Sequence, residues 1–253
     1  KLISSAFLEL GTKVISFSHG NDIGLVKQKW TEILYYSQAG HYFFETHNIC
    51  KDAKKRSVRL PLSDKEKTNY FTINNGIGLL RKSKTPPKII KKNIKKVMLM
   101  GYPMNAIRYI DDAYCFFYYK LRLEIQILRK LKEAGFYTIY KTHPDRIKEL
   151  GNFLNKEADE FISKRFEKTW QKADALIFSY STTTTFGYAL TTPLPIVVID
   201  IKGTHWNMPI KKKIEKRIEF LGKYDDLNLH QIKSQDLTAS IKNAKKKVTQ
   251  KNL

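Results

Sequence analysis

The chain has 253 residues, enough for one large domain or two small ones and for a core that needs no disulfide staples. A hydrophobic fraction of 42% excludes global disorder, and two cysteines exclude a disulfide framework. The 46 Lys and Arg residues outnumber the 24 Asp and Glu residues, and the resulting formal net charge of +22 favours polyanionic partners such as phosphorylated ligands, anionic lipid or nucleic acid.

Sequence motifs narrow the classes of partner that the net charge favours. The sequence has no zinc-ligand spacing, RNA-binding aromatic motif or basic heptad region, so we expect no nucleic-acid partner. The most apolar stretch, residues 114–131, is interrupted by five charged residues, so we expect no membrane span. A helical pattern is already under way at residue 2, and we therefore expect further chain upstream of Lys1.

The first part of the chain is patterned as a small α/β lobe. In chain order the pattern predicts a helix at residues 2–10 that ends at Gly11, a strand at 13–18 and a helix at 27–36. A second strand is predicted at 41–46, and a polar irregular stretch at 51–75. A segment around Pro86-Pro87 follows in which every charged residue is Lys or Arg. We interpret residues 81–94 as a linker.

Beyond the linker, strands alternate with helices. Strands are predicted at residues 96–100, 137–141, 175–179 and 196–201. Helices are predicted at residues 111–134, 184–190 and 211–222, and one or two helices at residues 147–170. This alternation indicates a parallel sheet with right-handed crossovers. We therefore predict an α/β protein with a partial Rossmann-like lobe at 1–80, the linker at 81–94, a complete Rossmann-like domain at 95–240 and a basic tail at 241–253.

Lys141, His143, Pro144 and Arg146 follow one of the predicted strands, at the end where α/β folds bind ligands. Pro144 disfavours helical backbone at the residue before it, so the imidazole of His143 is presented at the strand end. There it can donate a hydrogen bond to a phosphate or act as an acid. A capping or core role for His143 is the open alternative.

A run of hydroxyl residues from Ser179 to Thr185 lies between a predicted strand and a short helix. Hydroxyls and the free backbone N–H groups at a helix start form an anion site, whereas a plain helix cap needs one hydroxyl. We predict a phosphate site that includes the residues after the two strands, namely Lys141, His143, Pro144, Arg146, Ser179, Ser181, Thr182, Thr183 and Thr184.

The predicted strand at 13–18 ends in Ser18-His19-Gly20, with Asp22 close behind. Gly20 permits a tight turn, and His19 or Asp22 is predicted as the base that activates an acceptor hydroxyl. A turn histidine without a catalytic role is the alternative. No acidic pair follows a strand and no P-loop motif occurs, so we expect neither a metal nor another cofactor.

An HG pair, an HP pair and a Ser/Thr run, each after a predicted strand, resemble elements of bacterial GT-B-type transferases in surface-polysaccharide synthesis. In the CMP-sugar sialyl- and Kdo transferases, an HP pair and a Ser/Thr motif bind the donor phosphate. The CDP-glycerol glycerophosphotransferases have similar HP and HG elements and a D-Y-S-S motif, where this chain has Ser179-Tyr180-Ser181-Thr182.

The resemblance implies a GT-B-like fold and a metal-independent glycosyltransferase that moves a sugar from a nucleotide donor, CMP in particular, to a surface glycan such as capsule or lipopolysaccharide. It implies that His143 and the hydroxyls hold the donor phosphate, while His19 or Asp22 serves the acceptor. The implied partners are the nucleotide sugar and a glycan or lipid-linked acceptor.

The expected location is the cytoplasm, at the inner face of the cytoplasmic membrane, where anionic lipid attracts basic residues. The candidate membrane contacts are the lysines of the linker and a predicted basic helix with Lys211, Lys212, Lys213, Lys216 and Arg217. Two alternatives stay open: a polyol-phosphate transferase that uses CDP-glycerol, and a non-catalytic basic module that binds nucleic acid or an anionic membrane.

Overall fold

A computed structural model describes residues 2–18, 40–44, 46–57, 68–73, 93–102, 117–144, 154–201, 206–224 and 231–249. The chain divides into two compact units. The first comprises Lys1–Thr85, Thr182–Tyr188 and His205–Ile210, and the second comprises Pro86–Ser181, Ala189–Thr204 and Lys211–Leu253. The boundaries proposed at 80, 94 and 240 stay predictions, because most of the linker lies outside the described residues.

The first unit contains a three-stranded parallel sheet. Its strands are β1 (Ile15–Phe17), β2 (His41–Phe44) and β3 (Asn69–Thr72), hydrogen-bonded in the order β1-β2-β3. The ring of Phe43 stacks on Phe17 at 5.4 Å and on Phe71 at 5.1 Å between centroids, so aromatic cross-strand pairs support the register. The predicted strands at 13–18 and 41–46 are confirmed in shorter form.

Two helices of the first unit bear on the predictions. Helix α1 (Leu2–Glu9) precedes Gly11, whose φ of +73° is the left-handed backbone expected of a glycine after a helix end. Helix α2 (His47–Ser57) buries Cys50 and Ala53 in a small core with Tyr42 and Phe44.

Helix α2 and strand β3 correct the prediction that residues 51–75 are irregular. Cys50 and Ala53 are the only buried residues of α2 among those whose burial the structure describes, and β3 is four residues long. Tertiary pairing rather than local pattern therefore forms both elements. The helix predicted at 27–36 lies outside the described residues.

The second unit contains a six-stranded sheet in which all neighbouring strands are parallel. Its strands are β4 (Lys96–Met100), β5 (Tyr137–Lys141), β6 (Glu160–Ile162), β7 (Ala175–Phe178), β8 (Ile196–Ile201) and β9 (Glu219–Tyr224). They lie in the order β6-β5-β4-β7-β8-β9. Counted from β4, this is the order 3-2-1-4-5-6 of doubly wound nucleotide-binding sheets. The predicted parallel α/β architecture is confirmed.

Two long helices pack on one face of this sheet. They are α3 (Phe117–Glu133) and α6 (Ser234–Thr249). In α3, Leu123, Ile127, Leu128 and Leu131 recur at helical spacing and are fully buried. The helix ends before Gly135, where the N–H of Phe136 donates to the carbonyl of Leu131, as in a Schellman motif.

Several predicted elements are corrected in the second unit. Between residues 154 and 172, where one or two helices were expected, the chain forms strand β6 and short 3-10 turns. The helix predicted at 211–222 stops early, because α5 (Met208–Ile214) gives way to β9, which buries Leu221 as the sixth strand. Helix α6 continues through most of the predicted basic tail, since Ile241, Ala244 and Val248 are buried in the core.

The predicted helix at 184–190 is confirmed as α4 (Thr184–Ala189). The helix expected at 111–134 is described from Phe117 onward. Within the described ranges, no helix has the length and apolar character needed to cross a bilayer.

Candidate functional site

The carboxyl ends of β5, β4 and β7 lie side by side at one edge of the six-stranded sheet. The last paired residues are Lys141, Met100 and Phe178. The N–H of Gly101 donates to the carbonyl of Lys141 at 2.8 Å, which extends the β4–β5 ladder beyond these pairs. Strand spacing of about 4.8 Å therefore places the segments after β5 and β7 roughly 10 Å apart, on either side of the end of β4.

This edge contains the topological switch point of the sheet. The chain passes from β4 to β5 on one side, whereas β7 leads to β8 on the other. Doubly wound sheets bind ligands in the crevice outside the carboxyl ends of the strands at this point. We use the name switch-point edge for residues 101–102, 142–144 and 179–181.

Two tyrosines meet across the switch point. The rings of Tyr102 and Tyr180 lie 4.5 Å apart between centroids at an interplanar angle of 79°, an edge-to-face contact. Both residues are partly exposed. They therefore border the crevice from the ends of β4 and β7.

A buried carboxylate holds the backbone beneath Tyr102. One oxygen of Glu124 accepts the N–H of Tyr102 at 2.7 Å, and the other accepts the hydroxyl of Tyr140 at 2.8 Å. Glu124 is fully buried on helix α3. Hydrogen bonds to a charged acceptor are stronger than neutral ones, so this carboxylate ties the end of β4 to α3 and β5.

Gly101 occupies a position that a side chain would not fit. A Cβ placed there would collide with the hydroxyl of Tyr140 and would come within 2.8 Å of its Cζ atom and 3.0 Å of the carbonyl oxygen of Lys141. The absence of a Cβ at residue 101 is thus what allows the hydroxyl of Tyr140 to reach Glu124.

Lys120 lies one helical turn before Glu124 and is also buried, with 4% of its surface exposed. Its ammonium nitrogen lies 4.8 Å from the ring centre of Tyr102, a cation–π contact.

Gly101, Tyr102, Lys120, Glu124 and Tyr140 were not predicted as site residues. A signal for two of them exists in the sequence, because Lys120 and Glu124 fall on the helical face of Leu123 and Ile127, which is otherwise apolar.

Lys141, predicted to bind phosphate, is buried at the end of β5. Its ammonium donates to the carbonyl of Thr142 at 2.6 Å. Burial lowers the pKa of Lys141 below its usual range, and the carboxylate of Glu167 opposes part of that change. The cation is therefore engaged with the backbone of the switch-point edge.

His143 lies where the strand-end pattern predicts, two residues beyond β5. It is partly exposed, and its carbonyl accepts the hydroxyl of Thr142 at 3.2 Å. Pro144 is exposed. Arg146 lies outside the described residues. The role of these residues in binding stays a prediction.

The predicted hydroxyl run is divided between the two units. Ser179 and Ser181 belong to the second unit and are buried, with 1% and 5% of their surfaces exposed. The hydroxyl oxygen of Ser179 is buried and has no hydrogen-bond partner among the described residues. A buried hydroxyl in that state is unusual and often marks a place where a ligand or water bonds.

The threonines of the run, Thr182, Thr183 and Thr184, group with the first unit. The hydroxyl of Thr183 accepts the N–H of Thr185 at 3.3 Å, and its carbonyl accepts the N–H of Phe186. Thr183 is therefore the N-cap of helix α4, which accounts for one hydroxyl of the run.

The predicted acceptor-side base lies outside the described residues, since neither His19 nor Asp22 falls within them. In the described ranges no cluster of three or more His, Cys, Asp or Glu side chains could hold a metal ion.

Within the predicted membrane-facing basic helix, Lys211 is buried and Arg217 is partly buried, which corrects that part of the prediction. The ammonium of Lys211 forms an ion pair with Asp200 at 2.7 Å, and both residues are buried. Arg217 donates to the carbonyls of Thr192 and Leu194, and burial lowers its pKa to about 10. Lys212, Lys213 and Lys216 are exposed.

No protein-family model matches the chain, and no curated protein matches it. Among solved structures it is similar to Arabidopsis thaliana UGT89C1 complexed with UDP-L-rhamnose, with a TM-score of 0.48 and 7% identity over 98% of this chain and 63% of the other. It is also similar to a UGT transferase from Siraitia grosvenorii in complex with UDP, with a TM-score of 0.41 and 9% identity over 86% of this chain and 55% of the other.

The chain spans less than two thirds of the length of either structure. The CMP donor stays a prediction.

Proposed function

We propose that the protein is a glycosyltransferase that binds a nucleotide-activated sugar at the switch-point edge. The observation that carries this proposal is the strand order 3-2-1-4-5-6 together with Ser179, which directly follows the strand at the switch point. The buried hydroxyl of Ser179 has no hydrogen-bond partner in the described part of the chain. Sheets of this order bind nucleotides at that point. A buried hydroxyl that lacks a hydrogen-bond partner can donate a hydrogen bond to an oxygen of the ligand.

The proposed chemistry is departure of a nucleotide from an activated sugar. Negative charge develops on the leaving phosphate, so donors aimed at its oxygens lower the barrier. His143 is the proposed acid or hydrogen-bond donor to that phosphate, and Ser179 and Ser181 are the proposed hydroxyl donors. The proposed mechanism uses no metal, and His19 or Asp22 is the proposed base for the acceptor hydroxyl.

The finer assignment follows the motif resemblance. We propose a CMP-sugar as donor and a bacterial surface glycan, such as capsule or lipopolysaccharide, as acceptor. We propose that the enzyme works at the inner face of the cytoplasmic membrane, where the exposed lysines Lys212, Lys213 and Lys216 would each contribute roughly 1 kcal/mol toward anionic lipid.

Incubation of the full chain with radiolabelled CMP-sugars and, separately, with CDP-glycerol tests the donor. We expect turnover of a CMP-sugar and a loss of activity of about 100-fold or more in His143→Ala, since general acid catalysis typically contributes that much. His47→Ala is the matched control, because His47 is an exposed histidine of helix α2 and should leave the rate unchanged. Turnover of CDP-glycerol alone would replace the CMP-sugar assignment with polyol-phosphate transfer.

A further inference from the structure

Lys120 is a buried cation that the proposed mechanism does not use. It has 4% of its surface exposed and lies on the core-facing side of helix α3. Its ammonium contacts the ring of Tyr102 at 4.8 Å, and no ion pair or hydrogen bond of this group is found in the described part of the chain.

Glu124 does not serve as the partner of Lys120, although it lies one turn further along the same helix. Its two carboxylate oxygens accept the N–H of Tyr102 at 2.7 Å and the hydroxyl of Tyr140 at 2.8 Å. A cation–π contact alone compensates only part of the loss of hydration of an ammonium.

Lys120 and Ser179 approach the same end of β4. Lys120 contacts the ring of Tyr102, and the same ring meets Tyr180, the residue after Ser179. The β4–β7 register, continued by one residue past Met100 and Phe178, sets Ser179 beside Gly101. A buried cation and a buried hydroxyl without a partner thus lie around one strand end at the switch point.

A buried ammonium without a carboxylate raises the free energy of the folded chain, and an anion that pairs with it removes much of that cost. We propose that Lys120 binds the phosphate of the nucleotide donor and that the hydroxyl of Ser179 donates to the same phosphate. This inference rests on the proposed function, and it assigns to Lys120 the charge recognition at the switch-point edge.

Calorimetric titration of the full chain with CMP and with cytidine, which lacks the phosphate, tests the proposal. We expect Lys120→Met to weaken CMP binding by about tenfold or more and to leave cytidine binding unchanged, because a hydrogen bond to a charged group has about that effect. Lys120→Arg keeps the charge and should retain most of the affinity. Lys212→Met is the control for loss of an exposed lysine.

Ser179→Ala provides a second test that does not depend on the folding of the Lys120 variants. It should weaken CMP binding several-fold without changing cytidine binding, whereas Ser240→Ala, a buried serine of helix α6, should change neither. In the absence of ligand, Lys120→Met should melt at a higher temperature than the unmodified chain, because the unpaired buried charge is gone.

Unchanged CMP affinity in both Lys120→Met and Ser179→Ala would overturn the inference while the proposed function stands. If the unmodified chain binds no nucleotide, the proposed function fails. Titration with inorganic phosphate then tests whether Lys120 still forms an anion site. Phosphate binding that Lys120→Met abolishes would support the anion site, and phosphate binding that it leaves unchanged, or none at all, would overturn it.

Discussion

Gly101 shows how one residue shapes the switch-point edge. Its lack of a Cβ leaves room for the hydroxyl of Tyr140, which donates to Glu124, and Glu124 in turn holds the backbone of Tyr102. The position of the Tyr102 ring therefore depends on a residue that has no side chain. The contacts of this ring with Tyr180 and Lys120 depend on the same residue.

Gly101→Ala should destabilise the fold by about 1–3 kcal/mol, because the added methyl group forces Tyr140 or the β5 backbone to move. Denaturant unfolding measures this difference. In a Tyr140→Phe background the cost should be smaller, since the nearest atom is then gone. Equal costs in the two backgrounds would show that Tyr140 is not what excludes a side chain at residue 101.

Lys141 predicts a pH dependence at the residue scale. Burial lowers the pKa of Lys141 in the folded chain below the ordinary 10.5. At pH values between the folded-state pKa and 10.5, the unfolded chain therefore binds more protons than the folded chain. The contribution of Lys141 to the free energy of unfolding therefore rises with pH between its folded-state and unfolded-state pKa values. The difference in stability between the unmodified chain and Lys141→Met should move in favour of the unmodified chain as pH is raised toward 10.5.

Urea unfolding at several pH values between neutral and about 10.5 checks this expectation. Lys212→Met is the control for loss of a lysine that is exposed. A stability difference for Lys141→Met that stays constant over the whole range would contradict the assignment of a lowered pKa to this group.

The residues of the candidate site differ in how far the sequence could predict them. His143 and Ser179 follow apolar strands directly, so local pattern places them at strand ends. Lys120 and Glu124 lie within a helix, and their burial at the sheet edge depends on how that helix packs. Spacing alone could have placed them on the apolar face, but not beside Tyr102.

At the scale of elements, β8 and α5 are joined by a buried ion pair. Asp200, near the end of β8, accepts from Lys211 of α5 at 2.7 Å, and the ammonium of Lys211 also lies 4.6 Å from the ring centre of Phe220 in β9. Three consecutive elements thus meet at one charged contact inside the second unit.

Asp200→Asn should cost about 3–5 kcal/mol, since it removes the carboxylate charge that pairs with the buried ammonium of Lys211. The double variant Asp200→Asn with Lys211→Met should recover much of the loss, whereas Lys212→Met on the same helix should have little effect. Thermal unfolding of the three variants measures the pattern. A double variant no more stable than Asp200→Asn would contradict the pairing.

Elements were predicted well where burial on both faces makes a strand continuously apolar, as in β4, β7 and β8. Strands β6 and β9 lie at the edges of the sheet and carry charged residues, so their sequences lack that run. Pairing with β5 and β8 forms them, and no local pattern could indicate it.

At the scale of the whole molecule, the alternation of strands and helices predicted a parallel sheet, and the structure adds the order in which the strands lie. That order locates the switch point between β4 and β7 and makes the ends of these two strands the place to seek a ligand. The net charge of +22 is not all surface charge, because Lys120, Lys141 and Lys211 are buried in the second unit.

Hydrogen–deuterium exchange of the full chain with and without saturating CMP tests most directly that a nucleotide binds at the switch-point edge. We predict slower exchange on addition of CMP at residues 101–102, 142–143 and 179–181, with unchanged exchange in the three-stranded sheet of the first unit. Unchanged exchange at those three segments, or protection confined to β1, β2 and β3, would contradict the proposed site.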